Sequence, residues 1–305
     1  MLLSYFISYL VSIVFVYVSQ RYYSLISIQY FSLPTLKKVY RYSIPLIPNS
    51  ISWWIINSSD RIIVSTFLSV AANGIYSAAN KFSGLFITIY SMFNMTFTES
   101  ISLHINDNDA SDFISKTINT VLHLFICIAL GIIAFMPFIF NIMIDKKFSE
   151  AYLQVPILMI ASLLNIGVGI CTTFYVATKQ TKKLAIYSVL SAIINISVNI
   201  IFIKQIGLFA ASISTAVAYL ITIIFMIQDV KKMITLHLDM KFLIISFLVL
   251  LFSLYSYYQS FLFIRVIALL MIFLYSLFWN YSFLKRILCR VIQHFRKNVK
   301  LNCDS

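Results

Sequence analysis

The 305-residue sequence contains little charge, because charged residues make up 11% of it and only 10 residues are Asp or Glu. Soluble globular domains carry about 25% charged residues, so this scarcity excludes a soluble protein of ordinary composition. Hydrophobic residues account for 61% of the chain, and the mean hydropathy is +0.91. Apolar runs of about 20 residues, the length of a membrane-spanning helix, recur from end to end. The sequence therefore predicts an all-α polytopic membrane protein.

Cysteine and histidine are also scarce, with four of each. Cys127 and Cys171 lie inside apolar runs, and Cys289 and Cys303 lie in a basic tail, which matches neither a disulfide framework nor the spacing of a metal site. The histidines are isolated from one another. We therefore expect no bound metal, no cofactor and no catalytic residues.

The apolar runs predict about nine membrane-spanning helices, and two polar linkers divide them into three parts. The expected parts are residues 1–41 with one helix and a linker, residues 42–230 with six helices, and residues 231–305 with a linker, two further helices and a basic tail. The expected spans are 2–19, 42–67, 75–101, 117–140, 152–176, 184–204, 208–228, 242–258 and 263–283.

The net charge of +13 arises from Lys and Arg at the helix ends and in the tail, not from one basic face. This distribution argues against a nucleic-acid partner. Most of the 23 Lys and Arg residues fall in alternate loops, and the positive-inside rule places those loops in the cytoplasm. The N-terminus is then expected outside and the C-terminus in the cytoplasm.

Three ionisable side chains, Asp60, Arg61 and Lys81, lie inside the second and third predicted spans. A charge at the centre of a bilayer helix costs about 2.5–3.5 kcal/mol, so such residues usually face a bundle interior or a wet cavity. Arg61 suits a phosphate, because its planar fork donates two parallel hydrogen bonds. The alternatives are an interhelical ion pair for Asp60 and a Lys81 side chain that reaches the outer surface.

Polar residues recur at intervals of four along the second span and form one face of the predicted helix. Pro45, Asn49, Asn57 and Arg61 belong to this stripe. Pro45 and Pro48 remove backbone donors from the first turns, which predicts a bend that can act as a hinge in an alternating-access cycle.

Two hydroxyl residues of the third span, Thr88 and Ser91, share a helix face with Lys81. They are interpreted either as cavity-lining residues or as helix-packing residues, the commoner use of such side chains in membranes. Asn195 and Asn199 in the sixth span need hydrogen-bond partners in an apolar medium, which predicts interhelical hydrogen bonds.

Two stretches of the sequence resemble a known family. The string PLIPNSISWWIINSSDRIIVSTFLSVAANGIYSAANKF is similar to the start of the second half of Wzx-type bacterial O-antigen flippases. The string NISVNIIFIKQIGLFAASISTAVAYL resembles the same family's paired-Asn helix, with Asn195 and Asn199, followed by a turn at Gly207 and a small-residue helix that contains Tyr219. These flippases belong to the multidrug/oligosaccharidyl-lipid/polysaccharide exporter superfamily.

The resemblance implies a fold of two six-helix lobes around a central cavity. The chain would supply the last helix of the first lobe, the whole second lobe and an extra helix pair, so about five helices of the first lobe are expected to be absent. The implied function is the flipping of an undecaprenyl-pyrophosphate-linked oligosaccharide, the O-antigen repeat unit, across the bacterial inner membrane, without any enzymatic step. Arg61 and Lys81 would hold the pyrophosphate, while Asn57 and Asp60 would add polar contacts. An O-antigen polymerase and a chain-length regulator are the implied partners.

Three other interpretations stay open. A small-molecule exporter of the MATE type, driven by an ion gradient, would have carboxylates in its cavity. A membrane enzyme such as a polymerase or an acyltransferase would need a catalytic group, often on a large external loop, and the predicted outer loops are short. A chain that lacks most of one lobe could also be an inactive fragment of a flippase.

Overall fold

The structure is a computed structural model that describes residues 2–19, 31–105 and 107–295. All regular structure in these ranges is helical, which confirms the all-α prediction. Six helices, α5 to α10, are long and apolar enough to cross a membrane. The elements are α1 (Leu2–Ser19), α2 (Leu33–Ser43), α3 (Leu46–Phe67), α4 (Val70–His104), α5 (Ala110–Met143), a 3₁₀ turn (Lys146–Phe148), α6 (Ala151–Ala177), α7 (Thr181–Ile206), α8 (Leu208–Val230), α9 (Met240–Tyr258) and α10 (Leu262–Phe295).

The chain divides into two compact units, Met1–Ile44 and Pro45–Ser305. In the first unit α1 occupies the first predicted span, and its segment Phe6–Ser19 is apolar. The second helix, α2, lies mostly in the linker of residues 1–41, for which the sequence predicted no helix of its own. Pro34 lies in the first turn of α2, where backbone N–H groups have no partner within the helix, so the N–H that proline lacks costs no hydrogen bond.

Helix α3 begins at Leu46, four residues later than predicted. Pro45 is its N-cap residue and Pro48 lies in its first turn, a place that tolerates proline because the first N–H groups of a helix lack intrahelical partners. The two prolines therefore mark the boundary between α2 and α3. Helices α3 and α4 contain 22 and 35 residues, respectively, and are more polar than the six helices that follow.

The second unit is built around a six-helix bundle, α3 to α8. The main packing partners are α3 with α7, α4 with α6, and α8 with both α6 and α7. Small side chains allow this close approach, since Ala210, Ala211 and Ala218 on α8 are fully buried. Aromatic rings fill the space between α4 and α5, where Phe125 contacts Phe86 and Tyr90 edge to face.

Helices α9 and α10 pack on the outer side of α5. Leu130 and Ala134 of α5 form a small separate core there with Val249 and Ile272. The helix pair therefore adds to the bundle through α5, and the polar linker before α9 strengthens this attachment.

The linker at residues 235–239 lies along a polar stripe of α5 spaced four residues apart. Four residues of an α-helix advance about 6 Å and two residues of extended chain about 6.6 Å, so the two rows of polar groups stay in register. The contacts are Ser111 Oγ to Thr235 Oγ1 (2.8 Å), His237 N–H to Ser115 Oγ (3.0 Å), Asn119 Nδ2 to the His237 carbonyl (2.8 Å), Asp239 N–H to Asn119 Oδ1 (3.0 Å) and His123 Nε2 to Asp239 Oδ2 (3.5 Å).

Candidate functional site

The buried polar face of α7 forms one wall of the site. Asn195 and Asn199 have no exposed surface, and they lie one helical turn apart because four residues separate them. Both side chains point at α3, so the predicted interhelical hydrogen bonds are present. The small residues of α8 allow this third helix to pack closely beside α3 and α7 at the same level.

Asp60 of α3 is the acceptor at the centre of this cluster, with 3% of its surface exposed. Its Oδ1 accepts hydrogen bonds from Nδ2 of Asn199 (2.8 Å) and of Asn195 (3.3 Å). Its Oδ2 accepts from Tyr76 Oη (3.0 Å) and Thr215 Oγ1 (2.7 Å). The donors come from α4, α7 and α8, so one carboxyl group joins four helices.

None of these donors carries a charge, and Asp60 has no cationic partner in the described part of the chain. The two ion pairs found there are Lys183 with Asp229 and His123 with Asp239. The interhelical ion pair considered for Asp60 is therefore absent from the described residues. An ionised carboxylate away from water is costly unless a counter-charge reaches it. The site thus favours the entry of a proton or a small cation.

Additional oxygen atoms surround the carboxyl group. Asn199 Oδ1 is buried and has no hydrogen-bond partner among the described residues. Thr215 Oγ1 lies 3.1 Å from the Ala211 carbonyl as well as near Asp60, and its single proton can serve one acceptor at a time. A set of carboxylate, amide, hydroxyl and carbonyl oxygens suits a hard cation. No group of three His, Cys, Asp or Glu side chains that could hold a transition metal occurs in the described residues.

A cavity of about 160 Å³ lies beside Asp60, between α3, α4, α6 and α8. Its wall combines apolar side chains with polar ones, among them Tyr76, Asn80 and Asn165. Two exposed residues, Asn57 and Gly84, also line it. The cavity therefore connects the buried cluster with an exposed face of α3 and α4.

Arg61 and Lys81 lie on this exposed face and not in the cavity. Arg61 is one turn from Asn57, and Lys81 is one turn from Gly84, so each cation is a near neighbour of a cavity-lining residue. Neither forms an ion pair with a described residue. The sequence grouped Asp60 with these cations, but Asp60 points inward and the cations outward.

The residues predicted to form a hinge or line a cavity lie along the same helices. Thr88 and Ser91 are exposed, and their hydroxyls donate to backbone carbonyls of α4 at 2.8 Å. Asn49 Oδ1 accepts from Trp53 Nε1 at 3.1 Å, within α3. Pro45 and Pro48 stand at the start of α3, as described above.

Sequence reasoning did not identify Tyr76 and Thr215 as partners of Asp60. A tyrosine in a membrane helix is more often an interface anchor, and a threonine is more often a packing residue, so neither gave a distinct signal. The available signal was Asn195 and Asn199, a pair that needs a polar partner on another helix. Asp60 was the carboxylate predicted at membrane depth. Pairing Asp60 with the two asparagines would have predicted the centre of the cluster.

Comparisons with solved structures place this fold among known transporters. An outward-facing multidrug resistance MATE family transporter of the MOP superfamily aligns with a TM-score of 0.55 and 19% identity, over 71% of this chain and 51% of that one. A MOP superfamily transporter from Pyrococcus furiosus gives 0.53 and 17%, over 82% and 53%. The lipid II flippase MurJ, in an inward closed conformation, gives 0.52 and 17%, over 85% and 57%.

The chain spans about half the length of these transporters. The search of curated proteins found no match. The family model described as "Polysaccharide biosynthesis protein" matches residues 1–156, just over half of the 305-residue chain. The predicted membership of a polysaccharide biosynthesis family is confirmed: the chain is a multi-pass membrane protein that belongs to the polysaccharide biosynthesis protein family.

Proposed function

We propose that this chain supplies one lobe of a flippase that moves an undecaprenyl-pyrophosphate-linked oligosaccharide across the bacterial inner membrane by alternating access. The observation that carries the proposal is the exposed face of α3 and α4, where Arg61 and Lys81 have no ion-pair partner among the described residues and Asn57 lies one turn from Arg61. Cations in membrane helices are rare and commonly mark the path of a charged substrate, so these two residues favour an anionic one.

The chemistry of the substrate fits this face. Moving a sugar-pyrophosphate headgroup through hydrocarbon requires the desolvation of phosphate charges and of many hydroxyl groups, which is prohibitive without a polar path. Arg61 would bind the pyrophosphate through its fork, and Lys81 would add a second positive charge. Asn57, Thr88 and Ser91 would contact sugar hydroxyls. The lipid tail would stay in the bilayer beside the lobe.

The proposed reaction makes and breaks no covalent bond, so the protein acts as a transporter and not as an enzyme. Its partners would be an opposing lobe, an O-antigen polymerase and a chain-length regulator. The excess of Lys and Arg in alternate loops supports an orientation with the C-terminus in the cytoplasm, where lipid-linked sugars are assembled. Pro45 and Pro48, at the start of α3, would form the hinge.

The Asp60 cluster supplies the coupling step of the proposed cycle. Binding of Na⁺ or a proton at the carboxyl group would change how tightly α3 is held against α7 and α8, because the same oxygens now accept hydrogen bonds from both helices. The cluster also favours the second candidate function, a small-molecule exporter driven by an ion gradient. The two candidates differ in the substrate bound at Arg61 and Lys81.

Replacement of the gene by variants tests the proposed substrate site. Arg61→Ala and Lys81→Ala should each lower surface polysaccharide at least several-fold at equal membrane levels, because each removes a charge that holds the pyrophosphate. Lipid-linked intermediates should accumulate on the cytoplasmic face. Arg61→Lys should give an intermediate level, since it keeps the charge but loses the two-pronged geometry.

Lys146→Ala is the matched control, because Lys146 is an exposed cation in the 3₁₀ turn after α5 and belongs to neither α3 nor α4. It should leave the polysaccharide level unchanged. Wild-type polysaccharide in the Arg61→Ala/Lys81→Ala double variant would exclude both residues from the mechanism. Normal polysaccharide together with a loss of drug efflux would instead support the exporter.

A further inference from the structure

A larger hollow, of about 630 Å³, lies outside the site described above and shares no lining residue with it. It is found where α4 approaches its last turns, α5 begins and α10 passes beyond its apolar segment. Phe93, Phe113 and Phe283 give the hollow an aromatic wall, and Lys116 and Arg286 add two cations. The residues thus combine apolar surface with positive charge.

The charge balance of the wall favours an anion. Asp239 is the one carboxylate among the described lining residues, against the two cations Lys116 and Arg286. Its Oδ1 accepts the backbone N–H of Phe242 at 3.1 Å and caps α9, while its Oδ2 lies 3.5 Å from His123 Nε2. Because the two cations outnumber the single carboxylate, the charge that a ligand in the hollow would meet is positive overall.

The position of the hollow along the helices matches the phosphate layer of a bilayer. Lys285 and Arg286 are the first charged residues of α10 after Arg265, and Lys285 follows Arg265 by 20 residues. That spacing corresponds to about 30 Å of helix, the thickness of the hydrocarbon core of a bilayer. Trp279, whose ring centroid is 5.4 Å from that of His123, belongs to the aromatic layer typical of the membrane interface. Lys116 lies in the polar first turns of α5, before its apolar run.

We propose that this hollow binds the phosphate-bearing headgroup of an anionic membrane lipid. Lys116 and Arg286 contact the phosphate oxygens, and Phe113 and Phe283 contact the first carbons of the acyl chains. The volume lies within the range of about 300–1,000 Å³ found for small-molecule sites and exceeds what a bare phosphate ion would fill. The bound lipid joins α5, the linker before α9, and α10, so it attaches the extra helix pair to the bundle.

The test is a titration of the delipidated, purified full chain with phosphatidylglycerol, followed by native mass spectrometry. Lys116→Gln and Arg286→Gln should each weaken binding roughly fivefold, equivalent to about 1 kcal/mol for a cation near a membrane surface. The double variant should weaken it roughly 25-fold. Both side chains are exposed, so the substitutions leave the core intact. Arg286→Lys should bind nearly as well as the wild type.

Lys182→Gln is the matched control, because Lys182 is exposed in the first turn of α7, at a helix end assigned to the same side of the membrane, but does not line the hollow. It should bind phosphatidylglycerol as the wild type does. An equal loss in this control, or no loss in the double variant, would overturn the proposal. Inorganic phosphate is tested in parallel: binding of free phosphate that depends on Lys116 and Arg286, without binding of phosphatidylglycerol, would also overturn the assignment to a lipid.

Discussion

Asp60 offers the sharpest test of the proposed coupling site, through two substitutions of opposite consequence. Asp60→Asn keeps the shape of the side chain and removes its charge. The new amide oxygen can still accept from Asn195 and Asn199, and the hydroxyls of Tyr76 and Thr215 can rotate to accept from the new amide. We therefore expect the fold to tolerate Asp60→Asn, with a loss of about 1 kcal/mol or less.

Asp60→Leu removes all four hydrogen bonds to the carboxyl group and leaves Tyr76 Oη and Asn199 Nδ2 without an acceptor among the described residues. Thr215 Oγ1 can still donate to the Ala211 carbonyl. Interhelical hydrogen bonds in membrane proteins average about 0.6 kcal/mol each, so four lost bonds amount to about 2–3 kcal/mol. Isolated donors in a soluble core would each cost about 1–3 kcal/mol, which sets the upper limit. Asp60→Leu should therefore unfold clearly earlier than Asp60→Asn.

The assay is thermal unfolding in detergent, in NaCl and in choline chloride at equal ionic strength. A ligand at ten times its dissociation constant stabilises the folded state by RT ln 11, about 1.4 kcal/mol. Wild type should gain about this much from saturating Na⁺, and Asp60→Asn should gain nothing. If Asp60→Asn kept the Na⁺-dependent shift, the cation would bind elsewhere. If Asp60→Leu were as stable as the wild type, the cluster would not join the helices.

Three glycines provide further predictions on stability. Gly207, between α7 and α8, has φ 59° and ψ −137°, with open space where the methyl group of an alanine would lie. Gly207→Ala should therefore destabilise the folded protein by about 1–3 kcal/mol through backbone strain alone. Gly131 is equally unobstructed but lies within helix α5, so Gly131→Ala should stabilise the folded protein by about 0.5–1 kcal/mol. A Cβ on Gly169 would lie 2.6 Å from Tyr90 Oη, so Gly169→Ala should cost about 1–3 kcal/mol, and Tyr90→Phe in that background should recover part of the loss. The thermal midpoint in detergent measures each change, and an unchanged midpoint for Gly207→Ala or Gly169→Ala would contradict the stated geometry.

The helices themselves were largely predictable from the sequence, because spans of about 20 apolar residues are a strong signal. The inward and outward faces were not. Ile193 and Ile203 lie on the same helix, yet Ile193 is 56% exposed and Ile203 is fully buried. Lipid and protein interior are both apolar, so hydrophobicity does not distinguish the two faces of a membrane helix.

The polar residues of the site were partly predictable, because a strongly polar side chain is conspicuous in an apolar helix. Asp60, Asn195 and Asn199 stand out in apolar helices, and the structure brings all three together. Tyr76 and Thr215 do not stand out, since both residue types are common in membrane helices. The helix α2 was missed because its charged and aromatic residues resemble a linker, although Pro34 after Ser32 is typical of a helix start.

Asp60 and Arg61 connect the two halves of the proposed mechanism because they are consecutive residues of one helix. They project about 100° apart, since an α-helix completes a turn in 3.6 residues, so Asp60 faces α7 and α8 while Arg61 is exposed. A rigid helix cannot move one without the other. Any movement of α3 that separates the carboxyl group from Asn199 also displaces the guanidinium group. A cation that alters the hydrogen bonds of Asp60 would therefore act on the face proposed to hold the pyrophosphate, without a longer path through the bundle.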